Sequence, residues 1–188
     1  MLRWVAAPLV FTLASMSCST GTGGQNGEPA SPEHAIMQSP GSVLQISVDG
    51  SRVYGPTVML ERDESGMRGR GPTGVVDLRK DGASWRGIIG TGPTELHLEP
   101  VEEGGFSLRG MFSGALGRLE VRSDRIEGQI GLCQYNLRRH ESELGVAYNG
   151  RRVCGSKSLE PATITLSPTI AALEPIDRAV IIAILLGR

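Results

Sequence analysis

The sequence predicts a mainly β protein: an antiparallel meander of about ten strands, curved into a barrel or a sandwich and followed by a C-terminal α-helix. Apolar and polar residues alternate through positions 42–166, which is the period of a strand with one solvent-facing side. Turn dipeptides such as Asp49-Gly50 and Asp81-Gly82 end the alternating runs. The 26 glycines show no triplet period, which excludes a collagen-like chain.

Length and charge narrow the class of protein further. A chain of 188 residues with 39% hydrophobic residues is long enough for one domain with a modest core, and 21% charged residues is typical of a folded chain. The formal net charge of −1 excludes a strongly basic nucleic-acid binder, so we expect no nucleic-acid partner.

The first eighteen residues predict export. Arg3 precedes a short apolar stretch, Val5 to Leu13, which is too short to span a bilayer, and small residues lead from it to Cys18. This segment resembles the signal of bacterial lipoproteins, in which the cysteine after the cleavage point is lipidated and becomes the new N-terminus. One position departs from that pattern, because Ser15 lies where a leucine-like residue is usual. The alternative is an ordinary cleaved signal with Cys18 near the cut.

A polar, glycine-rich segment follows the cysteine. Residues 19–39 cannot bury a core, so we expect a flexible tether that holds a folded domain off a membrane. Ser19 is not the aspartate that marks inner-membrane retention in lipoproteins, and the resemblance therefore favours the outer membrane of a bacterial cell envelope. The predicted organisation is a signal peptide at 1–17, a lipidated cysteine and tether at 18–40, a β domain at 41–166 and a C-terminal helix at 167–188.

The other two cysteines predict a disulfide. Cys133 and Cys154 form an even pair in an exported chain, and oxidising compartments favour disulfides. A metal site is a poorer alternative, because no histidine lies at ligand spacing from either cysteine, and a reactive thiol is the other. A bridge across this loop would contribute about 3 kcal/mol.

A three-strand pattern occurs twice within the alternating region. In each copy the middle strand carries a glycine between two apolar residues. The copies are Val76/Leu78, Trp85/Gly87/Ile89 and Leu96/Leu98, then Leu119/Val121, Ile126/Gly128/Ile130 and Tyr135/Leu137. A related apolar–charge–glycine unit stands at 108–110 and, more weakly, at 67–69.

These glycines fall on the face that is predicted to point inward. Glycine weakens a strand interior, so its recurrence needs a cause. It either leaves room for a large neighbouring side chain or lets the strand coil tightly, as closed or strongly curved sheets require. Accidental similarity in a glycine-rich chain is the alternative to a true repeat.

Residues 167–188 change to a helical pattern. A Ser-Pro pair at 167–168 is typical of a cap with a first-turn proline, and the main helix is expected from Pro175 to about Leu186, with Asp177 in its first turn. The run 179–186 is apolar on every side, and a helix under about 20 Å long cannot span a bilayer. Such a helix is buried against its own sheet, in the groove of an envelope-protein partner, or in the membrane interface.

Few residues suggest chemistry. Glu95, His97 and Glu99 share one face of a predicted strand and form a weak candidate cation site, whereas a solvated surface is the simpler expectation. Carboxylates at 102–103 and 141–143 lie in turn-like segments and are expected to be solvated. The sequence contains no motif for nucleophilic catalysis or phosphate binding, so we assign no catalytic residue and expect no metal and no cofactor.

Four arginines beside the recurring glycines are a candidate anion-binding stripe. If their strands are neighbours, the guanidinium groups share the outer face and could bind polysaccharide, lipid headgroups or an acidic partner. Cross-strand pairing with glutamates is the preferred alternative. The four are Arg68, Arg70, Arg86 and Arg109.

No domain family is identified from these patterns, and function is inferred from the signal and the fold class. The favoured hypothesis is a lipid-anchored envelope protein that acts as a non-enzymatic binding or assembly subunit, with the membrane as one partner and an envelope protein, bound through the C-terminal helix, as another. A barrel that holds a small apolar ligand and a hydrolase with an unrecognised site are the alternatives.

Overall fold

The protein is a closed antiparallel β-barrel with a helix in its lumen, as seen in a computed structural model. The structure describes residues 33–102 and 105–187. The predicted signal peptide, the lipidation site Cys18 and most of the predicted tether lie outside the described residues.

In the described residues, fourteen strands are followed by two helices. The strands are β1 (Glu33–Ser39), β2 (Ser42–Asp49), β3 (Arg52–Gly55), β4 (Val58–Arg62), β5 (Gly66–Gly71), β6 (Gly74–Asp81), β7 (Ser84–Ile89), β8 (Gly92–Pro100), β9 (Phe106–Phe112), β10 (Ala115–Val121), β11 (Arg125–Ile130), β12 (Cys133–Ser142), β13 (Gly145–Cys154) and β14 (Glu160–Leu166). The helices are α1 (Pro168–Ala171) and α2 (Pro175–Leu186).

Each strand pairs with the next strand of the chain, and β1 pairs with β14 to close the ring. At the closing seam Ala35 lies opposite Leu166 on one side and Ile46 on the other. Closure leaves no unpaired strand edge among the described strands. The predicted antiparallel meander with a C-terminal helix is therefore confirmed, the barrel is the correct one of the two shapes, and the strand count is fourteen rather than about ten.

The first strand corrects the predicted tether. Residues up to 40 were expected to be flexible, but β1 begins at Glu33 and its Ala35 and Met37 side chains are fully buried. His34, expected in the tether, alternates outward on this strand and its Nδ1 lies 2.9 Å from the Ser47 hydroxyl. The alternation of this short segment is hidden by the glycine- and proline-rich residues before it.

One hydrophobic cluster joins inward side chains of the strands with both helices. Trp85, Phe106 and Phe112 are at most 1% exposed and point into the lumen, as the alternation predicts. The described strands and helices all belong to one compact unit.

The recurring glycines, which we call the kink glycines, occupy alternate strands: Gly69 on β5, Gly87 on β7, Gly110 on β9 and Gly128 on β11. Each has a positive φ, between 122° and 150°. A Cβ atom on any of them would lie 1.9–2.1 Å from a carbonyl oxygen of the preceding strand. The structure thus selects close backbone approach and tight coiling as their role, rather than room for a neighbouring side chain.

The C-terminal segment forms helices as predicted. Ser167 caps α1, with its hydroxyl accepting a hydrogen bond from the backbone N–H of Ile170 at 3.3 Å. Helix α2 starts at Pro175 with Asp177 in its first turn. It runs from the barrel end where β14 finishes to the opposite end, and residues 179–186 are buried on every side. No helix among the described residues has the length and apolarity needed to cross a membrane.

The predicted disulfide is present. Cys133 on β12 and Cys154 on β13 are direct register partners and are bonded through their sulfurs. The bridge joins residues 21 positions apart and staples one hairpin at its open end.

Candidate functional site

The lumen of the barrel is occupied by α2. Trp85 Nε1 on β7 donates a hydrogen bond to the Ile176 carbonyl at 3.3 Å, and the Tyr135 hydroxyl on β12 donates one to the Leu186 carbonyl at 2.7 Å. These two contacts fix opposite ends of α2 to different walls. Of the three burial sites considered for this helix, it occupies the one against its own sheet, and it fills the space in which a barrel would hold a small ligand.

A polar cluster closes the lumen at the N-terminal end of α2. The Asp177 carboxylate lies 2.9 Å from Arg62 Nη1 and 3.4 Å from Lys80 Nζ, and these three side chains are 18–24% exposed. The neighbouring Arg178 guanidinium lies 5.4 Å from the centroid of the Phe106 ring and donates to the Ala171 carbonyl. The cluster pairs charged groups where the lumen meets solvent. It holds α2 in register against β4 and β6.

A crevice of about 180 Å³ lies beside this cluster, between the two helices and the ends of the strands. Tyr148 lines it, and its hydroxyl donates to the Arg122 carbonyl at 3.3 Å. Burial raises the pKa of the Tyr148 phenol above its ordinary value of 10.0, and the positive charges of Arg178 and Arg139 partly oppose this. The phenol is therefore neutral at ordinary pH and acts as a hydrogen-bond donor.

The predicted face of Glu95, His97 and Glu99 exists on the outside of β8. His97 Nε2 lies 3.4 Å from Glu95, and its Nδ1 lies 2.8 Å from the Ser84 hydroxyl. Glu99 pairs instead with Arg109 on the adjacent strand at 3.3 Å. The three side chains are roughly half exposed and engaged with different partners, so they form a surface network; no group of His, Cys, Asp or Glu suited to a metal occurs in the described part of the chain.

Three of the four candidate arginines are in cross-strand ion pairs. Arg68 lies 3.3 Å from Asp77, Arg86 lies 3.1 Å from Glu95, and Arg109 pairs with Glu99 as above. These exposed pairs stabilise the sheet modestly. Arg70 differs, because no carboxylate lies within 4.0 Å of it among residues 33–102 and 105–187.

Of the predicted carboxylate pairs, Glu102 lies in the loop between β8 and β9, and Glu103 lies outside the described residues. Glu141 ends β12 and Glu143 lies in the next turn. Glu102, Glu141 and Glu143 therefore lie at one end of the barrel, in or beside its loops.

The outer wall is concave where the kink glycines draw strands together. A concavity of about 720 Å³ crosses β11, β12 and β13 beside Gly128. Its polar lining includes the side chains of Gln129, Gln134, Asn136 and Arg151. These groups can donate and accept hydrogen bonds, so the groove is a candidate site for a polar ligand on the outside of the barrel.

The two ends of the barrel differ in charge. We call one the apolar end, defined by the loops 40–41, 56–57, 72–73, 90–91, 113–114, 131–132 and 155–159, in which the single charged residue is Lys157. We call the other the charged end, defined by the loops 50–51, 63–65, 82–83, 101–105, 122–124 and 143–144. The described residues of those loops include Asp63, Glu64, Glu102, Asp124 and Glu143, with Arg122 as their one base.

Exposed large hydrophobic side chains gather at the apolar end. Eight of the nine in the described residues lie in one of its loops or within two residues of one, and Leu144 at the charged end is the exception. The eight, which we call the apolar rim, are Val43, Tyr54, Met59, Val75, Ile88, Leu116, Leu132 and Leu159. Sequence reasoning missed this set, although apolar residues on the solvent face beside uncharged Pro, Gly and Thr turns were the available signal.

No known protein family, curated protein or solved structure gives a significant match to this chain.

Proposed function

We propose that the protein is a lipid-anchored component of a bacterial cell envelope, held in the outer membrane through Cys18, and that it acts as a non-enzymatic binding or assembly subunit. Its barrel is a rigid module that binds through its outer surface.

The filled lumen is the observation that carries this proposal. Helix α2 is hydrogen-bonded at both ends and surrounded by apolar side chains, so a ligand inside the barrel would have to displace about three turns of buried helix. The free energy of burying that helix favours the filled state, since each buried large aliphatic side chain contributes about 1.5–3 kcal/mol. Binding on the outside requires no such displacement.

The disulfide supports the exported location. Bonds such as that between Cys133 and Cys154 persist in oxidising compartments outside the cytosol. A closed barrel with a disulfide also opens locally less often, which limits cleavage by proteases outside the cytosol.

The anchor is tested with variants on either side of the proposed cleavage point. In a Gram-negative host, we expect the wild-type chain to fractionate with the outer membrane and its mature N-terminus to carry acyl chains by intact mass. Cys18→Ala should lose the acyl mass and leave the membrane fraction, and Ser19→Asp should keep the acyl mass but move to the inner membrane. An unacylated wild-type chain would overturn the proposed anchor.

Binding on the outside is tested by native mass spectrometry of the protein purified from membranes. We expect a barrel without an apolar small molecule in stoichiometric amount, and slow backbone amide exchange in α2. A stoichiometric apolar ligand released together with fast exchange of α2 would contradict the proposal and favour a ligand carrier.

A further inference from the structure

We infer that the apolar end of the barrel inserts into the surface of a lipid membrane with anionic headgroups. The inference deepens the proposed function and rests on its membrane location. It is carried by three independent features of the structure: the level of the apolar rim, its distribution around the barrel, and the charge asymmetry of the two ends.

The rim surrounds the barrel rather than covering one side. Its members lie on β2, β3, β4, β6, β7 and β10 and in the loops after β11 and β13, which spread around the closed ring. A folded protein partner usually buries a patch on one side of its target. Outward-facing apolar residues on all sides are buried together only when a medium surrounds the end, as a bilayer interface does.

The strand register places the rim residues of β6, β7 and β10 at one level. Asp77 lies opposite Ile88, Glu95 lies opposite Met111, and Arg118 lies opposite Gln129, so the hairpins from β5–β6 to β11–β12 are each displaced by two residues from the one before. A uniform displacement is what tilted barrel strands produce. In these hairpins the residues at the second position from each loop therefore stand at a similar height along the barrel axis.

The height of the rim matches an interfacial depth. Two strand residues correspond to about 7 Å at about 3.3 Å per residue. Amphipathic elements bury their apolar faces about 5–10 Å into the boundary between headgroups and acyl chains. Beyond the rim, the outer wall carries the ion pairs of Arg68, Arg86 and Arg109, which suit water and limit insertion to the end of the barrel.

The charges of the apolar end suit anionic lipid. Arg70 lies next to Met59 and Val75 in the rim, and Lys157 lies in the last loop. The one carboxylate of the described residues within two positions of these loops, Glu160, is neutralised by Arg152 at 3.3 Å. The charged end carries an excess of acids and is repelled by the same surface.

The proposed anchor permits this orientation although β1 starts at the charged end. Residues 19–32 can span up to about 48 Å when extended. Helix α2, which traverses the lumen, is about 18 Å long. The chain length between Cys18 and the barrel is therefore enough for the lipid and the apolar end to lie in one membrane.

The test uses the chain from Ser19 onward, which keeps all the described strands and helices but has no lipid. We expect it to sediment with vesicles that contain 30% phosphatidylglycerol and to bind pure phosphatidylcholine vesicles less. Leu116→Glu combined with Leu132→Glu should reduce binding at least tenfold. These side chains are 79% and 75% exposed, so the charges leave the core unchanged.

Leu144→Glu is the matched control, because this leucine is 69% exposed but lies at the charged end. It should bind as the unsubstituted protein does, and all variants should keep the same thermal unfolding midpoint. Lys157→Glu should lower the preference for anionic vesicles without abolishing binding to them.

Three results would overturn the inference: no vesicle binding by the unsubstituted barrel, equal losses for the rim and Leu144 variants, or a rim variant that changes the oligomeric state instead of vesicle binding. The last result would assign the rim to a contact between copies of this chain. Because the assay contains no lipid anchor, its failure leaves the Cys18 proposal standing, and failure of lipidation leaves the rim result valid.

Discussion

Replacing Gly87 with alanine tests whether the kink glycines shape the barrel. The new Cβ would lie 1.9 Å from the Asp77 carbonyl oxygen, so β6 and β7 must separate by about 1 Å to reach even a close contact. The positive φ of 150° costs an L residue about 1–3 kcal/mol. Separating β6 from β7 leaves at least one backbone N–H or C=O group without its hydrogen-bond partner, which costs about 1–3 kcal/mol more. We therefore expect a loss of about 2–6 kcal/mol in the free energy of unfolding.

Two other glycines separate the contributions to this loss. Gly117→Ala places a Cβ 3.1 Å from the Gln129 carbonyl oxygen without a left-handed φ and should change stability by less than about 1 kcal/mol. In Gly82→Ala the new Cβ has open space around it, and only the left-handed φ of 57° is strained. The free energy of unfolding should therefore fall by about 1–2 kcal/mol. Urea unfolding followed by the fluorescence of Trp85 measures all three variants. A Gly87→Ala loss no larger than that of Gly117→Ala would refute the reasoning.

Three further outcomes are expected. Replacing Cys133 and Cys154 with serine should lower the free energy of unfolding by about 3 kcal/mol in urea and remove any effect of reductant. Because the pKa of Tyr148 is raised, the folded state retains a proton that the unfolded chain loses; stability is full below pH 10 and falls as pH rises through the folded pKa, so Tyr148→Phe should flatten the decline of Tm between pH 9 and 11. Asp177→Asn should cost about 1–3 kcal/mol by thermal unfolding, whereas Asp77→Asn, in an exposed pair, should cost less than about 0.5 kcal/mol; equal losses would contradict the role of the half-buried cluster.

Local patterns in the sequence predicted the strands that alternate strictly. The segments around Trp85, Leu108 and Ile126 combine period two with nearby turns, and they form strands with the predicted faces inward. The disulfide and the C-terminal helix were also predictable, because they depend on a pair of cysteines and on a contiguous apolar run.

Features that depend on distant parts of the chain were not predictable. Closure requires β1 to meet β14, and nothing local in residues 33–39 specifies that partner. Strand β3 has four residues, too few for a clear period. Whether the C-terminal helix enters the lumen depends on the end of the barrel at which β14 finishes, and local sequence does not specify that end. Burial in the lumen was therefore only one of three possible sites for this helix. The apolar rim depends on the same strand register, which aligns residues separated by more than a hundred positions.

The central claim is that α2 fills a closed barrel, and native-state hydrogen exchange tests it most directly. Backbone amides of residues 179–186 should exchange as slowly as those of the inward-facing strand residues, and only through global unfolding, because water reaches them when the ring opens. Exchange of these amides within seconds to minutes, while the strands stay protected, would show that α2 lies outside the barrel and would contradict the account.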